Sequence, residues 1–81
     1  MTETELEVTF VNELHRIAPD IAVDEIDKTG DLRDEFDIDS MDFLTLVTAL
    51  SKTLNITIPE ADYDQMSTFS DALDYLHQSV A

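Results

Sequence analysis

Leu6, Phe10, Leu14 and Ile17 recur three or four residues apart, with Val11 beside them and polar residues between. That spacing gathers the apolar side chains on one face and predicts a helix over residues 4–17. Leu6, Val8 and Phe10 also alternate as a strand would, but the longer helical period prevails and Pro19 stops the element. Thr4 and Glu7 stand at capping-box spacing near its start. The clearest helix is predicted over residues 40–54. Met41, Leu44, Val47 (or Thr48) and Ser51 form its stripe, and Leu46, Ala49, Leu50 and Leu54 broaden the apolar face. Asp39 is placed to cap it, Asp42 adds negative charge to its first turn, and Asn55 suits the position just past its end. Ile56-Thr57-Ile58-Pro59 reads as extended, because the residue before a proline avoids helix. Residues 60–65 read as a short helix with Pro59 at its start. Phe69, Ala72, Leu73, Leu76 and Val80 supply the buried side of a last helix over 69–79, opened by Thr68 and Asp71 at capping-box spacing.

Residues 18–38 hold Pro19, the only glycine (Gly30) and many acids. Ile21, Val23, Ile26, Leu32, Phe36 and Ile38 are spaced through them like anchors that pin a long ordered loop to a core. A short helical turn fits around Asp31–Glu35. The whole predicts an all-α fold: a small irregular four-helix bundle with a long first loop and a short third helix, in a single domain over residues 1–81. Phe10, Phe36 and Phe69 are read as core.

Composition narrows the functional classes. With 81 residues and 43% hydrophobic content, the chain forms a small core. A domain of this size buries about 60% of the surface its unfolded chain exposes. Nineteen acids against four basic residues give a net charge of −15. Such a field repels nucleic acid and anionic membranes and attracts basic protein surfaces. No apolar run reaches membrane-spanning length, so no membrane insertion is expected. The acidic start, Met1-Thr2-Glu3-Thr4-Glu5, does not read as a signal peptide. The absence of cysteine fits a reducing, cytoplasmic setting and denies the chain any thiol chemistry of its own.

The candidate chemistry centres on Ser40, in Phe36-Asp37-Ile38-Asp39-Ser40-Met41-Asp42-Phe43. An acidic turn delivers this serine to the first turn of the clearest helix. A serine without a positioned base is a weak nucleophile, and no Gly-x-Ser-x-Gly context surrounds it. His15 and His77 read as helix-face residues. An EF-hand counted from Asp37 would need Gly at its sixth position and Glu at its twelfth, where Asp42 and Thr48 stand instead. No catalytic or metal-ligating residues are therefore assigned. If the chain handles activated acyl groups, their sulfur must be added from outside, and a serine at a helix start is a good place to add it.

Asp39-Ser40-Met41-Asp42 with its helix, Leu54-Asn55-Ile56-Thr57-Ile58-Pro59, and Thr68-Phe69-Ser70-Asp71-Ala72 together resemble an acyl carrier protein. The resemblance spans nearly the whole chain and implies a free-standing, monomeric carrier rather than an enzyme. It implies 4′-phosphopantetheine attached covalently to Ser40 by a phosphopantetheinyl transferase. The thiol of that arm would carry acyl groups as thioesters to the enzymes of fatty-acid, lipid or polyketide-type biosynthesis. An amino-acyl carrier, or an unmodified acidic interaction module that kept the fold, are the alternatives. The resemblance also implies that Asp39 helps place magnesium in the transferase complex and that Met41 packs on partner surfaces. It allows an acyl-chain cavity, with Leu44, Val47, Leu50, Ile58, Ala72 and Tyr75 as candidate lining; Phe43 is read as core, as a flank of the arm or as a flank of the mouth of that cavity.

The chain departs from the family pattern in three respects: Met41 stands for the commoner Leu, Asp37 for a frequent Gly, and the helix after the serine lacks the frequent glutamates. Many members carry glutamates on the helix after the serine, yet residues 43–59 contain no acid here, fourteen acids lying in residues 1–42 and five in residues 60–74. The outward positions expected to be acidic are Thr45, Thr48, Ser51 and Lys52. Partner recognition is accordingly assigned to Asp39, Met41, Asp42, Thr45, Thr48 and Lys52. The neutral face points to dedicated partner enzymes, with drift between tolerant partners as the competing explanation.

Overall fold

Each stretch with a helical apolar period is a helix in the computed structural model, which describes residues 2–80. Helix α1 spans Glu3–Ile17, the one-turn α2 spans Leu32–Glu35, α3 spans Ser40–Leu54 and α4 spans Phe69–Val80. Two 3₁₀ segments, Val23–Glu25 and Glu60–Met66, lie in the connections. Met1 and Ala81, the ends of the expected domain, lie outside the described residues. The all-α expectation holds, with two refinements: the short third helix is 3₁₀ rather than α, and α2 adds the turn expected at Asp31–Glu35.

The cap of helix α1 is Thr2, two residues before the predicted one. The Thr2 hydroxyl accepts from the Glu5 amide at 3.1 Å, and the Glu5 carboxylate accepts from the Thr2 amide at 3.2 Å. Thr2 and Glu5 have the same spacing as Thr4 and Glu7, and starting there lets the Thr2 carbonyl accept from Leu6. Thr4 is therefore inside the helix. The bond from the Thr2 amide, chiefly, holds the Glu5 carboxyl below its usual pKa. At the far end Ala18 leaves helical geometry, φ −139° and ψ 67°, as the residue before Pro19 must.

The core is built from three helices and the loop that straps them. Leu6, Phe10 and Leu14 of α1 meet Leu46, Val47 and Leu50 of α3 and Phe69, Ala72 and Leu76 of α4, all buried. Phe10 and Phe69 stack with ring centroids 5.1 Å apart. Leu32, Phe36 and Ile38 are buried in the same cluster, and Ile21, Val23 and Ile26 pack partly buried against it, so the long connection is anchored as expected. Backbone bonds finish the strap. The Leu32 amide donates to Ser67 O at 2.7 Å and the Ser70 amide to Lys28 O at 3.0 Å. They tie the loop to the start of α4, whose Asp71 amide donates to the Thr68 hydroxyl at 3.0 Å.

The buried face of α3 is rotated from the predicted stripe. Val47 is inside, but Met41 is 70% exposed and Leu44 42% exposed. Leu44 therefore does not line an interior cavity, whereas Val47, Leu50, Ile58 and Ala72 are buried. The reason is helical geometry: Leu46, Val47 and Leu50, flanked by partly buried Phe43 and Leu54, form a wider continuous band than the Met41–Leu44 line. Ser51 is likewise not an outward position; it is half-buried, and its hydroxyl donates to Val47 O at 2.8 Å.

Candidate functional site at the start of helix α3

The turn that carries Ser40 is fixed from both sides. Phe36 closes α2, its amide donating to Leu32 O at 3.1 Å. Asp37 then takes a left-handed conformation, φ 52°, a region that Asp enters more readily than most side chains. The chain reverses, the Ile38 amide donates to Arg33 O at 2.9 Å, and the Ile38 side chain is buried. Asp39 is extended, and its carboxylate accepts from the Asp42 amide at 2.8 Å, so it is the N-cap of α3. Ser40 is the first helical residue, and it is exposed. Its hydroxyl thus stands where a helix presents unpaired amides and the positive end of its dipole.

Ser40 borders a groove of about 390 Å³ between the first turn of α3 and the Glu60–Met66 segment. Met41, Phe43, Leu44 and Tyr63 provide its apolar wall, and Arg33, Glu60, Asp64 and Ser67 its polar rim. Phe43 and Tyr63 meet edge to face, centroids 5.9 Å apart at 76°. Phe43, left open between core and flank by the sequence, is partly buried and lines this groove. The Arg33 guanidinium lies 5.9 Å from the centre of the Phe43 ring. Arg33 and Tyr63 were not singled out from sequence. The available signal was Arg33 itself, a cation among fourteen acids seven residues before the serine.

A second groove, about 470 Å³, runs between α1 and α3 on the far side of Met41 and Leu44. Thr45, Thr48 and Lys52 border it, with Arg16 opposite. Arg16 Nε is 3.7 Å from the buried Glu13 carboxylate. Of the residues assigned to partner recognition, Asp39, Met41, Thr45, Thr48 and Lys52 are exposed and Asp42 is half-buried, all on α3 or its cap. His15 and His77 are exposed on α1 and α4, and neither lines the groove at Ser40.

The site pairs an accessible hydroxyl at a helix start with a cation and an apolar trough, a donor set that suits an anionic phosphodiester continued by an uncharged arm. Comparison with known proteins agrees. Residues 9–76 match the family model described as a phosphopantetheine attachment site. The chain is 31% identical over 67 residues to an acyl carrier protein of Guillardia theta, covering 80% of this chain and 83% of the relative. It is 34% identical over 58 residues to that of Lactobacillus johnsonii, covering 69% and 72%. It is 31% identical over 72 residues to that of Renibacterium salmoninarum, covering 89% and 84%. The matched model places the fold and its site in the class of carriers that hold phosphopantetheine. The chain belongs to the acyl carrier protein family, and its cofactor is covalently attached 4′-phosphopantetheine. No helix among the described residues is long and apolar enough to cross a membrane.

Proposed function

We propose that Ser40 is the attachment point of the arm, and that the chain works as a single monomeric cytoplasmic domain passing acyl groups between enzymes of fatty-acid, lipid or polyketide-type biosynthesis. The observation that carries this reading is the placement of Ser40: exposed, first in α3, at the edge of the groove, and inside the matched region. When bound, the arm supplies a flexible thiol that holds acyl groups as thioesters. The protein's own residues do the rest. Asp39 fixes the helix start by accepting from the Asp42 amide, which sets the backbone from which Ser40 projects. Among the described residues none accepts a hydrogen bond from the Ser40 hydroxyl, so its proton is taken by the phosphopantetheinyl transferase.

Incubation with coenzyme A, magnesium and a broad-specificity phosphopantetheinyl transferase should add the mass of one phosphopantetheine group. Ser40→Ala should abolish the gain. No gain in the wild type would leave an unmodified interaction module.

We also propose dedicated partner enzymes that dock along α3. Exposed Met41 and Leu44 provide an apolar anchor, and the helix beyond Asp42 is neutral apart from Lys52. Tight, productive binding to general fatty-acid ketosynthases would sink that part of the reading.

A further inference from the structure

The groove at Ser40 poses an electrostatic problem that its own residues answer. The phosphodiester at the root of the arm carries a full negative charge. Asp37, Asp39 and Asp42 flank Ser40 along the chain, and Glu60 and Asp64 line the groove, within a molecule of net charge −15. The dipole of α3 offsets only part of this, about half an elementary charge confined to the first turn.

We propose that Arg33 binds the phosphodiester of the Ser40-linked arm and so anchors the arm's root on the Phe43 side of the groove. This rests on Ser40 being the attachment point. Arg33 is the one cation lining the groove among the described residues. Its guanidinium lies near the Phe43 ring, 5.9 Å from the centroid, so the aromatic wall helps to hold it at the groove. Asp31 does not saturate it. The Arg33 Nε to Asp31 Oδ1 separation is 3.7 Å, beyond hydrogen-bond range, and that oxygen already accepts from the Arg33 amide at 2.9 Å. The terminal guanidinium nitrogens thus remain available for the two-pronged contact that suits phosphate oxygens. The main chain keeps Arg33 and Ser40 in register: Arg33 O accepts from Ile38, two residues before the serine, and Asp39 caps the helix that Ser40 begins. Holding the phosphate leaves every bond beyond it free to rotate, so the thiol still swings while the root stays put.

The test uses the loaded protein and ³¹P NMR. The mass gain at Ser40 is scored first; its absence would overturn the attachment reading and this inference with it, whereas the remaining outcomes bear on Arg33 alone. In loaded wild type the phosphodiester resonance should be displaced from its position in the same protein unfolded by urea. The Arg33 Nε–Hε cross-peak should shift on loading. Arg33→Gln should lose most of the ³¹P displacement, and Lys52→Gln, which removes the same charge beside the other groove, should keep it. An unchanged ³¹P position in Arg33→Gln would overturn the proposal, as would an equal loss in Lys52→Gln. Should Arg33→Gln fail to fold, the wild-type Nε–Hε cross-peak decides: a position unmoved by loading rejects the contact.

Discussion

Asp37 and Asn55 hold the two left-handed backbones among the non-glycine residues described, at φ 52° and 54°. Asn55 closes α3: its amide donates to Lys52 O, and the Ile56 amide reaches back to Ser51 O at 3.0 Å. A side chain that tolerates this region is needed there. Asn55→Ala should cost about 1 kcal/mol, while Asn55→Gly should be near neutral, both read from urea midpoints. Leu50, fully buried at the centre of α3, should cost about 2–4 kcal/mol as Leu50→Ala; a loss well below about 1 kcal/mol would mean that Leu50 is not a core residue. Both positions were legible in the sequence, one by residue type just past a helix and the other by period. Leu44 was not. Periodicity identifies apolar faces of a helix but not which one the rest of the chain covers, and here the covering elements leave Met41 and Leu44 outside. Arg33 was illegible for a related reason: its meaning depends on Phe43 and Ser40 being near it in space.

Among the elements, the regular ones were readable and their exact starts were not. Thr2–Glu5 and Thr4–Glu7 carry the same cap signal, and only the assembled helix chooses. The Glu60–Met66 segment was readable as helical, but its attachment was not, because buried Met66, the Phe43–Tyr63 contact and a side-chain bond over thirteen residues all join it to elements distant in sequence. The Tyr75 hydroxyl of α4 donates to Asp62 Oδ2 at 2.7 Å. That bond, first, and burial raise the Tyr75 pKa above its usual value near 10. Ionisation would remove the donor and set a second negative charge against Asp62. The stabilisation is therefore complete below the unfolded-state pKa and is lost as pH rises through the raised folded value. Tyr75→Phe should cost about 1 kcal/mol at pH 8, and the gap between variant and wild type should close above pH 10, measured by urea unfolding across the alkaline range. A gap that persisted undiminished into strong alkali would show that packing, not the hydroxyl, supplies the difference. Since Glu60–Met66 forms one side of the Ser40 groove, the same substitution loosens a wall of the site without touching the serine.

For the molecule as a whole, charge and shape oppose each other. Fifteen net negative charges occupy a body of 29 × 26 × 21 Å, and two side-chain ion pairs, Arg16 with Glu13 and Arg33 with Asp31, offset them among the described residues. At 0.01 M salt the screening length is about 30 Å, so every acid senses every other across the fold; at 0.1 M it is about 10 Å, and only neighbours interact. Unfolding spreads the charges apart, so repulsion destabilises the folded state more than the unfolded one. Raising sodium chloride from 0.01 to 0.3 M should therefore raise Tm. A gain of about 1 kcal/mol corresponds to about 4–8 °C in a domain of this size. Chloride keeps the test electrostatic, because sulfate would also strengthen apolar burial. The gain should saturate once the screening length falls below the spacing of neighbouring acids. It should shrink in a variant with Asp20, Asp24 and Glu25, exposed acids in and around the first loop, changed to their amides. A Tm that stayed flat with salt would mean that repulsion is as strong in the unfolded chain as in the bundle, and that the acidic character acts on encounter with partners rather than on stability.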